Sequence, residues 1–355
     1  MGREVTNRGS EGRTVQRPSP PHLHTTHRKG HPVRIVCIDG EPQYADIVRR
    51  DVIEPLRAAG HELDWFEERF ADEEATIARA QGYDAVYIIA DQGPLPQDFL
   101  AGVPGLKLVS FVGTGAHRFV DVAEAERLGI TVTNVPDFAS RSVAEHAIAL
   151  MFAAARRIPE GDRIVRAGEW AKHQGLKLRG RTLGVVGTGA IGREVIEMGH
   201  ALGMNVVFWN RTERPEVEAA LPGRRVTLEE LFTESDVVSL HLTHTPETEG
   251  LVSAELLGRL KSSAVLVNTA RDEILDRAAL FALLAENRIF GAALDVFESE
   301  PPELSSLPLD QENLILTPHI GFHTDEADEV FAIAGRNIIA FANGTPTNVV
   351  RSADH

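Results

Sequence analysis

The chain has 355 residues, 43% apolar and 25% charged, with a formal net charge of −16. That length exceeds one ordinary hydrophobic core and calls for two domains, while the acidic balance repels phosphate backbones and argues against broad nucleic-acid or anionic-membrane binding. One thiol, Cys37 in VRIVCID, cannot build a disulfide framework, no apolar run approaches the ~20 residues of a membrane span, and no apolar leader opens the chain, so a cytoplasmic protein is expected.

Residues 1–31 are rich in Arg, Ser, Gly, Thr, Pro and His and hold scarcely any large apolar side chain, which makes them an expected disordered extension. His22, His24, His27 and His31 have no preformed shell around them, and no metal is expected there or elsewhere. From Pro32 the pattern alternates: VRIVCI, a helix around Tyr44 to Ala59, HELDWF, a helix around Glu73 to Gln81, AVYII, LKLVSFV and ITVTNV. Short β-branched runs separated by amphipathic stretches predict parallel βαβ units. Ser142 to Arg157 forms an apolar stretch of helical period with Pro159 beyond it, and is expected to bridge two domains. Beyond Leu178 the alternation restarts with TLGVVG, NVVFW, DVVSLHL, AVLVNT, GAALDVF and LILTP, which predicts a second, larger parallel sheet. The tail from Thr324 to Ala342 is helical again and is expected to cross back to the first domain, ahead of a short extended PTNVV.

TLGVVG runs directly into Gly187-Thr188-Gly189-Ala190-Ile191-Gly192. In a GxGxxG turn the first glycine permits the tight turn, the second lets the backbone approach a pyrophosphate, and the third allows close helix packing. The next strand ends at the place where an acidic residue accepts hydrogen bonds from the ribose of NAD. Here that place is Asn210, followed by Arg211 and Thr212. Losing the carboxylate and gaining a guanidinium suits a 2′-phosphate, so NADP(H) is the preferred cofactor and NAD(H) the alternative.

Three polar residues leave the ends of later apolar strands: Arg271 in AVLVNTAR, Glu300 in GAALDVFESE and His319 in LILTPH. In open α/β sheets ligands bind outside the carboxyl ends of the strands, so side chains leaving there can converge. A cation, a carboxylate and an imidazole in one crevice are the parts needed to hold a carboxylate substrate and move a proton.

These segments, in this order, resemble the D-isomer-specific 2-hydroxyacid dehydrogenases, through GLKLVSFVGTG, ITVTNVPDFASRSVAEHA, GRTLGVVGTGAIG, SDVVSLHLTHTPETEGLV, AVLVNTARDEILD, GAALDVFESEPPE and NLILTPHIG. The resemblance implies an α/β protein of two doubly wound parallel-sheet domains. A Rossmann nucleotide-binding domain, residues 141–319, would be inserted into a flavodoxin-like substrate domain of residues 32–140 plus 320–355. It implies Arg271, Glu300 and His319 as the catalytic residues, with Arg271 anchoring the substrate. Backbone amides around Gly113, Thr114 and Gly115 would cradle the substrate carboxylate. Cofactor contacts would extend to Thr243, Thr269, Ala270, Asp295, His319 and Gly321. The implied activity is hydride transfer between a nicotinamide cofactor and a small 2-keto/2-hydroxy acid, of glyoxylate or hydroxypyruvate type, by a homodimer built around the 142–157 helix.

The chain departs from the family pattern at Asp272, where glycine is usual after the arginine, at Thr243, where proline is usual, and at His117 and Arg118 in the substrate loop. FASRSVAE resembles the phosphoglycerate dehydrogenase branch, which leaves an NAD-using enzyme of that kind as one alternative, although no regulatory domain is expected after the final helix. A cofactor-sensing binding protein on the same scaffold is the other; it would lack one of the three catalytic residues, and all three are present.

Overall fold

The computed structural model describes residues 32–67, 72–89, 93–325 and 327–352. The histidines of the N-terminal extension, with the disorder and metal readings attached to that segment, lie outside the described residues.

Two sheets form, and every strand pair in both is parallel. The first orders its five strands β2-β1-β3-β4-β5, from β1 Arg34–Cys37, β2 Glu62–Trp65, β3 Ala85–Ile88, β4 Leu108–Phe111 and β5 Thr131–Thr133. The second holds β6 Thr182–Val186, β7 Asn205–Trp209, β8 Arg224–Arg225, β9 Val237–Leu240, β10 Val265–Asn268, β11 Gly291–Leu294 and β12 Leu314–Leu316, in the order β12-β11-β10-β9-β6-β7-β8. These are the flavodoxin-like and Rossmann-like strand orders, so the α/β architecture read from the alternation holds. Strands β3, β4, β9, β10 and β11 are buried along their whole length. That is why they read as continuous apolar runs: in a parallel sheet helices cover both faces.

Helix α1, Ser140–Ala155, leaves the first sheet and packs Ala144, Ala147, Leu150, Met151 and Ala154 against the second. The expected run to Arg157 is shorter at its end, because Arg157 turns into the left-handed region with φ of 52°. Pro159 then does not stop a helix; it sits in the first turn of α2, Ile158–Arg166, where a missing N–H costs nothing. The helix expected over Tyr44 to Ala59 is present but widens into a π turn at Arg49–Ile53. Pro55 accounts for this, since in a regular helix its ring would clash with the carbonyl four residues earlier. Strand β8 was not anticipated: two exposed arginines carry no apolar signal.

Helix α3, Ala190–Ala201, follows β6, and α4, Arg277–Ala285, follows β10. The final helix α5, Glu329–Ala342, crosses back as expected and buries Val330, Phe331, Ala334 and Ile338 against the first sheet. The Tyr87 hydroxyl donates to the Phe331 carbonyl at 3.2 Å and Ser110 to that of Ala334 at 2.9 Å. Past it, the extended PTNVV segment joins that sheet through an antiparallel bridge from Val349 to Thr133. Cys37 is fully buried, and burial pushes its thiol well up. Among the described residues no helix is long and apolar enough to cross a membrane.

Candidate active site

The glycine turn follows β6 at the carboxyl edge of the second sheet. Gly187 has φ of +103°, and a Cβ there would lie 2.6 Å from the His241 carbonyl oxygen. At Gly192 a Cβ would lie 2.0 Å from the Gly187 carbonyl oxygen, so only glycine lets α3 start this close to the strand. At Gly189 nothing lies within 4 Å of the Cβ position, and that side of the turn faces open space. Two buried hydroxyl oxygens beside the edge, Thr188 Oγ1 and Thr269 Oγ1, have no partner among the described residues. An open glycine turn, the amino end of a three-turn helix and orphaned hydroxyls fit a dinucleotide pyrophosphate.

At the end of β7, the Asn210 side chain accepts from the Thr188 amide at 3.2 Å and donates to the Thr212 carbonyl at 2.6 Å. The Arg211 guanidinium meets Thr245 Oγ1 and Glu247 Oε2, each at 3.0 Å. Glu213, whose charge would oppose a phosphate, is paired with Arg225 at 2.9 Å.

Arg271, Glu300 and His319 stand after β10, β11 and β12, three consecutive neighbours in the sheet. Separations of 29 and 19 residues in sequence thus become adjacency along one edge. His319 Nδ1 lies 2.7 Å from Glu300 Oε2. Burial would push the Glu300 carboxyl up, but the His319 contact and the Phe297 amide outweigh it and hold it below the usual carboxylate range. An ionised carboxylate only accepts, so Nδ1 carries the proton in this bond and Nε2 is left for exchange. The ring of Phe322 stands edge-on to the imidazole, with centroids 5.8 Å apart.

His319 sits at φ of 52°, and Asp295 holds the turn around it. The Asp295 carboxylate accepts from the amides of Ile320 at 3.0 Å and Gly321 at 2.9 Å, and from the Thr317 hydroxyl at 2.6 Å. His146 of α1 approaches the same oxygen at 3.3 Å. Burial alone would raise this carboxyl; hydrogen bonds from His146, Thr317 and the two amides outweigh it and hold it low.

Arg271 is half-buried and spends one N–H on the Ala270 carbonyl at 2.7 Å. Burial, then the nearby charge of Arg118, lowers its pKa from the usual arginine value. Its other guanidinium nitrogen faces the loop after β4, 3.6 Å from where a Gly115 Cβ would stand. In that loop the amides of Gly113, Thr114 and Gly115 donate to no acceptor among the described residues, while Thr114 is pinned through its hydroxyl to the Val135 carbonyl at 3.0 Å. A cation at the edge of the second sheet therefore stands beside a loop of the first whose amides are unspent among the described residues. Thr243 is exposed, its carbonyl taken by the Thr248 hydroxyl at 2.8 Å. Asp272 does not neutralise its neighbour: its carboxylate turns to Arg277 at 2.9 Å.

Residues 148–321 match the sequence profile of the D-isomer specific 2-hydroxyacid dehydrogenase, NAD binding domain. A glyoxylate reductase of Pyrococcus furiosus is 38% identical over 293 residues, which is 79% of this chain and 85% of that one. The chain belongs to the D-isomer specific 2-hydroxyacid dehydrogenases. Among solved structures of such dehydrogenases, a glyoxylate reductase from Paecilomyes thermophila is 28% identical with a TM-score of 0.80, covering 91% of this chain and 99% of that one. An NADPH-dependent glyoxylate/hydroxypyruvate reductase from Sinorhizobium meliloti, in complex with citrate, is 28% identical with a TM-score of 0.77, covering 90% and 98%. This D-2-hydroxyacid dehydrogenase is an oxidoreductase that transfers hydride between a nicotinamide cofactor and a 2-keto/2-hydroxy acid.

Sequence reasoning missed several residues of this dehydrogenase that shape the site. His146 and Thr317 complete the Asp295 network, and Arg225 pairs with both Glu213 and Glu218. His241, one residue past β9, lies beneath the glycine turn with its Nε2 2.7 Å from Ser239 Oγ. It is buried, and burial drives its pKa from 6.5 to about 3. Below pH 6.5 the unfolded chain takes up a proton that the folded chain refuses until about pH 3, so the fold loses stability as pH falls through that window, by roughly 1.4 kcal/mol per unit. His241→Asn is expected to flatten the decline; urea melts of both proteins at pH 7, 6 and 5 check it, and parallel declines would refute it.

Proposed function

We propose that this dehydrogenase reduces a small 2-keto acid of the glyoxylate or hydroxypyruvate type, with NADPH as the preferred cofactor. The observation that carries the reading is the His319–Glu300 pair at 2.7 Å, beside a half-buried Arg271 that faces the unspent amides of Gly113, Thr114 and Gly115. A bound nicotinamide would supply the hydride in the reduction. Arg271 and the loop amides bind the substrate carboxylate, and Arg271 also polarises the carbonyl. His319 donates the proton from Nε2 to the forming alkoxide, and removes it in the reverse direction. Glu300 keeps Nδ1 protonated and stabilises the imidazolium. Asp295 holds His319 in its left-handed turn.

Gly187, Thr188, Gly189, Ala190, Ile191 and Gly192 would take the pyrophosphate, and Thr269, Ala270, Asp295 and Gly321 the nicotinamide side, with Thr243 at the margin. These roles accord with a nucleotide domain of residues 141–319 set within a substrate domain of residues 32–140 plus 320–355. Absence of a carboxylate at Asn210 and the presence of Arg211 and Thr212 favour the 2′-phosphate. The Arg211–Glu247 pair does not stand against this, because its side chains are 41% and 66% exposed. Such pairs contribute only about 0–1 kcal/mol, so the guanidinium can exchange partners. The NADPH dependence of the Sinorhizobium meliloti enzyme supports the same preference.

Initial rates with NADPH and NADH against glyoxylate, hydroxypyruvate and pyruvate test the reading directly. Turnover of none of these acids would refute it. His319→Ala and Arg271→Gln are each expected to lower kcat/KM by about 100-fold or more while NADPH still binds, and near-normal rates would remove the assigned roles. Arg211→Gln is expected to raise the KM for NADPH and leave that for NADH nearly unchanged; equal changes would assign the cofactor to NAD.

A homodimer is supported by one surface. Ile158, Val165 and Trp170, on α2 and just after it, are 56%, 57% and 81% exposed, an apolar group of the kind that associates. Light scattering is expected to give twice the chain mass of 38.8 kDa, and a monomer would remove the dimer.

A further inference from the structure

Arg277 occupies the first position of α4, where the unsatisfied amides at a helix start make a cation unfavourable. The helix does not need it there, since the neighbouring Asp276 already caps the first turn by accepting from the Ala279 amide at 3.0 Å. The arginine instead spans two loops. Its Nη1 meets Asp272 Oδ2 at 2.9 Å, directly after Arg271, and its Nη2 meets Glu298 Oε2 at 3.0 Å, two residues before Glu300. Strands β10 and β11, which deliver those loops, are paired neighbours.

The two arms differ in strength. The Glu298 side chain is 75% exposed and its arm is screened by water, whereas Asp272 is 7% exposed and Arg277 22%. The other carboxylate oxygen of Asp272 has no partner among the described residues. A buried carboxylate with a single cationic partner is costly to leave alone, so Asp272 is held where Arg277 is. Asn268 ties the backbone on both sides of Arg271, accepting from the Ala270 amide at 2.9 Å and donating to the Arg271 carbonyl at 3.0 Å.

We propose that Arg277 is a positioning residue for substrate binding: by fixing Asp272 it sets the direction of the Arg271 guanidinium, and it keeps the extra carboxylate off that guanidinium. Asp272 and Arg277 then act as one unit, in which the acid beside the anchor is tolerated because the arginine five residues on neutralises it. This rests on the assignment of Arg271 as the anchor for the 2-keto acid.

The test compares the full-length chain with Arg277→Met, Arg277→Lys, Asp272→Asn and the Asp272→Asn/Arg277→Met double variant, using NADPH and glyoxylate, with melting curves to show that each is folded. Arg277→Met is expected to raise the KM for the keto acid about tenfold and leave the KM for NADPH unchanged, since a small displacement of an orienting group costs rate without unfolding the site. Arg277→Lys is expected to recover part of the loss by restoring a cation opposite Asp272. The double variant is expected to bind the keto acid better than Arg277→Met alone, because the stranded carboxylate is gone. An unchanged keto-acid KM in Arg277→Met, an equal loss for both substrates, or a double variant no better than the single would each overturn the proposal. Arg271→Gln, assayed alongside, separates the two readings: a normal keto-acid KM there removes the anchor itself, whatever Arg277 does.

Discussion

Parallel pairing of the seven strands in the second sheet is the constraint on which the site depends. Strands β12, β11, β10, β9, β6 and β7 run the same way in adjacent register, so everything that leaves their carboxyl ends emerges along one edge. That edge carries, in order, His319, Glu300, Arg271, His241, the glycine turn and Asn210. Reversing one strand would send its residue to the opposite edge, some 15 Å away for a strand of four or five residues. The chemistry is therefore ordered by sheet position before any side chain makes a contact.

Electrostatics then refine what topology delivers. Glu300 and Asp295 both lie in surroundings that would raise a carboxyl, and both are held ionised by N–H and O–H donors aimed at them. Glu300 spends its charge on the imidazole, and Asp295 spends its charge on the turn that presents the imidazole. In a chain with a net charge of −16, Arg271 and Arg118 bring two positive charges close to one another at this edge.

Much of this was legible in the sequence because strands buried on both faces write themselves as β-branched runs, and because GxGxxG has few other uses between a strand and a helix. The three strand-end residues were legible for the same reason: a polar group after an apolar run stands out. What escaped notice lacks such contrast. His146 lies inside AEHAIAL, where helical period makes it one more face residue, and only the fold brings it to Asp295. The π turn and the break at Arg157 are local responses to Pro55 and to chain direction, which a run of apolar residues does not encode. Arg211 finds Glu247 across 36 residues, and Arg277 finds Asp272 around the corner of a loop; neither spacing corresponds to a face of any regular element.

The return of α5 to the first sheet has a consequence for how the molecule is made. Strands β1 to β5 leave the ribosome before the second sheet, yet the helix that buries Val330, Phe331, Ala334 and Ile338 against them emerges only after it. Until then that face of the sheet, around Ile35, Tyr87 and Leu108, is covered only in part, by Val48, Val52 and Leu56 of the helical segment at 44–59. The second sheet, contiguous from β6 to β12, can close on itself while the first still waits. Completion thus runs opposite to the chain order of the two sheets: the first is finished only after the second, and its half-covered apolar face is where newly made chains are most exposed to self-association.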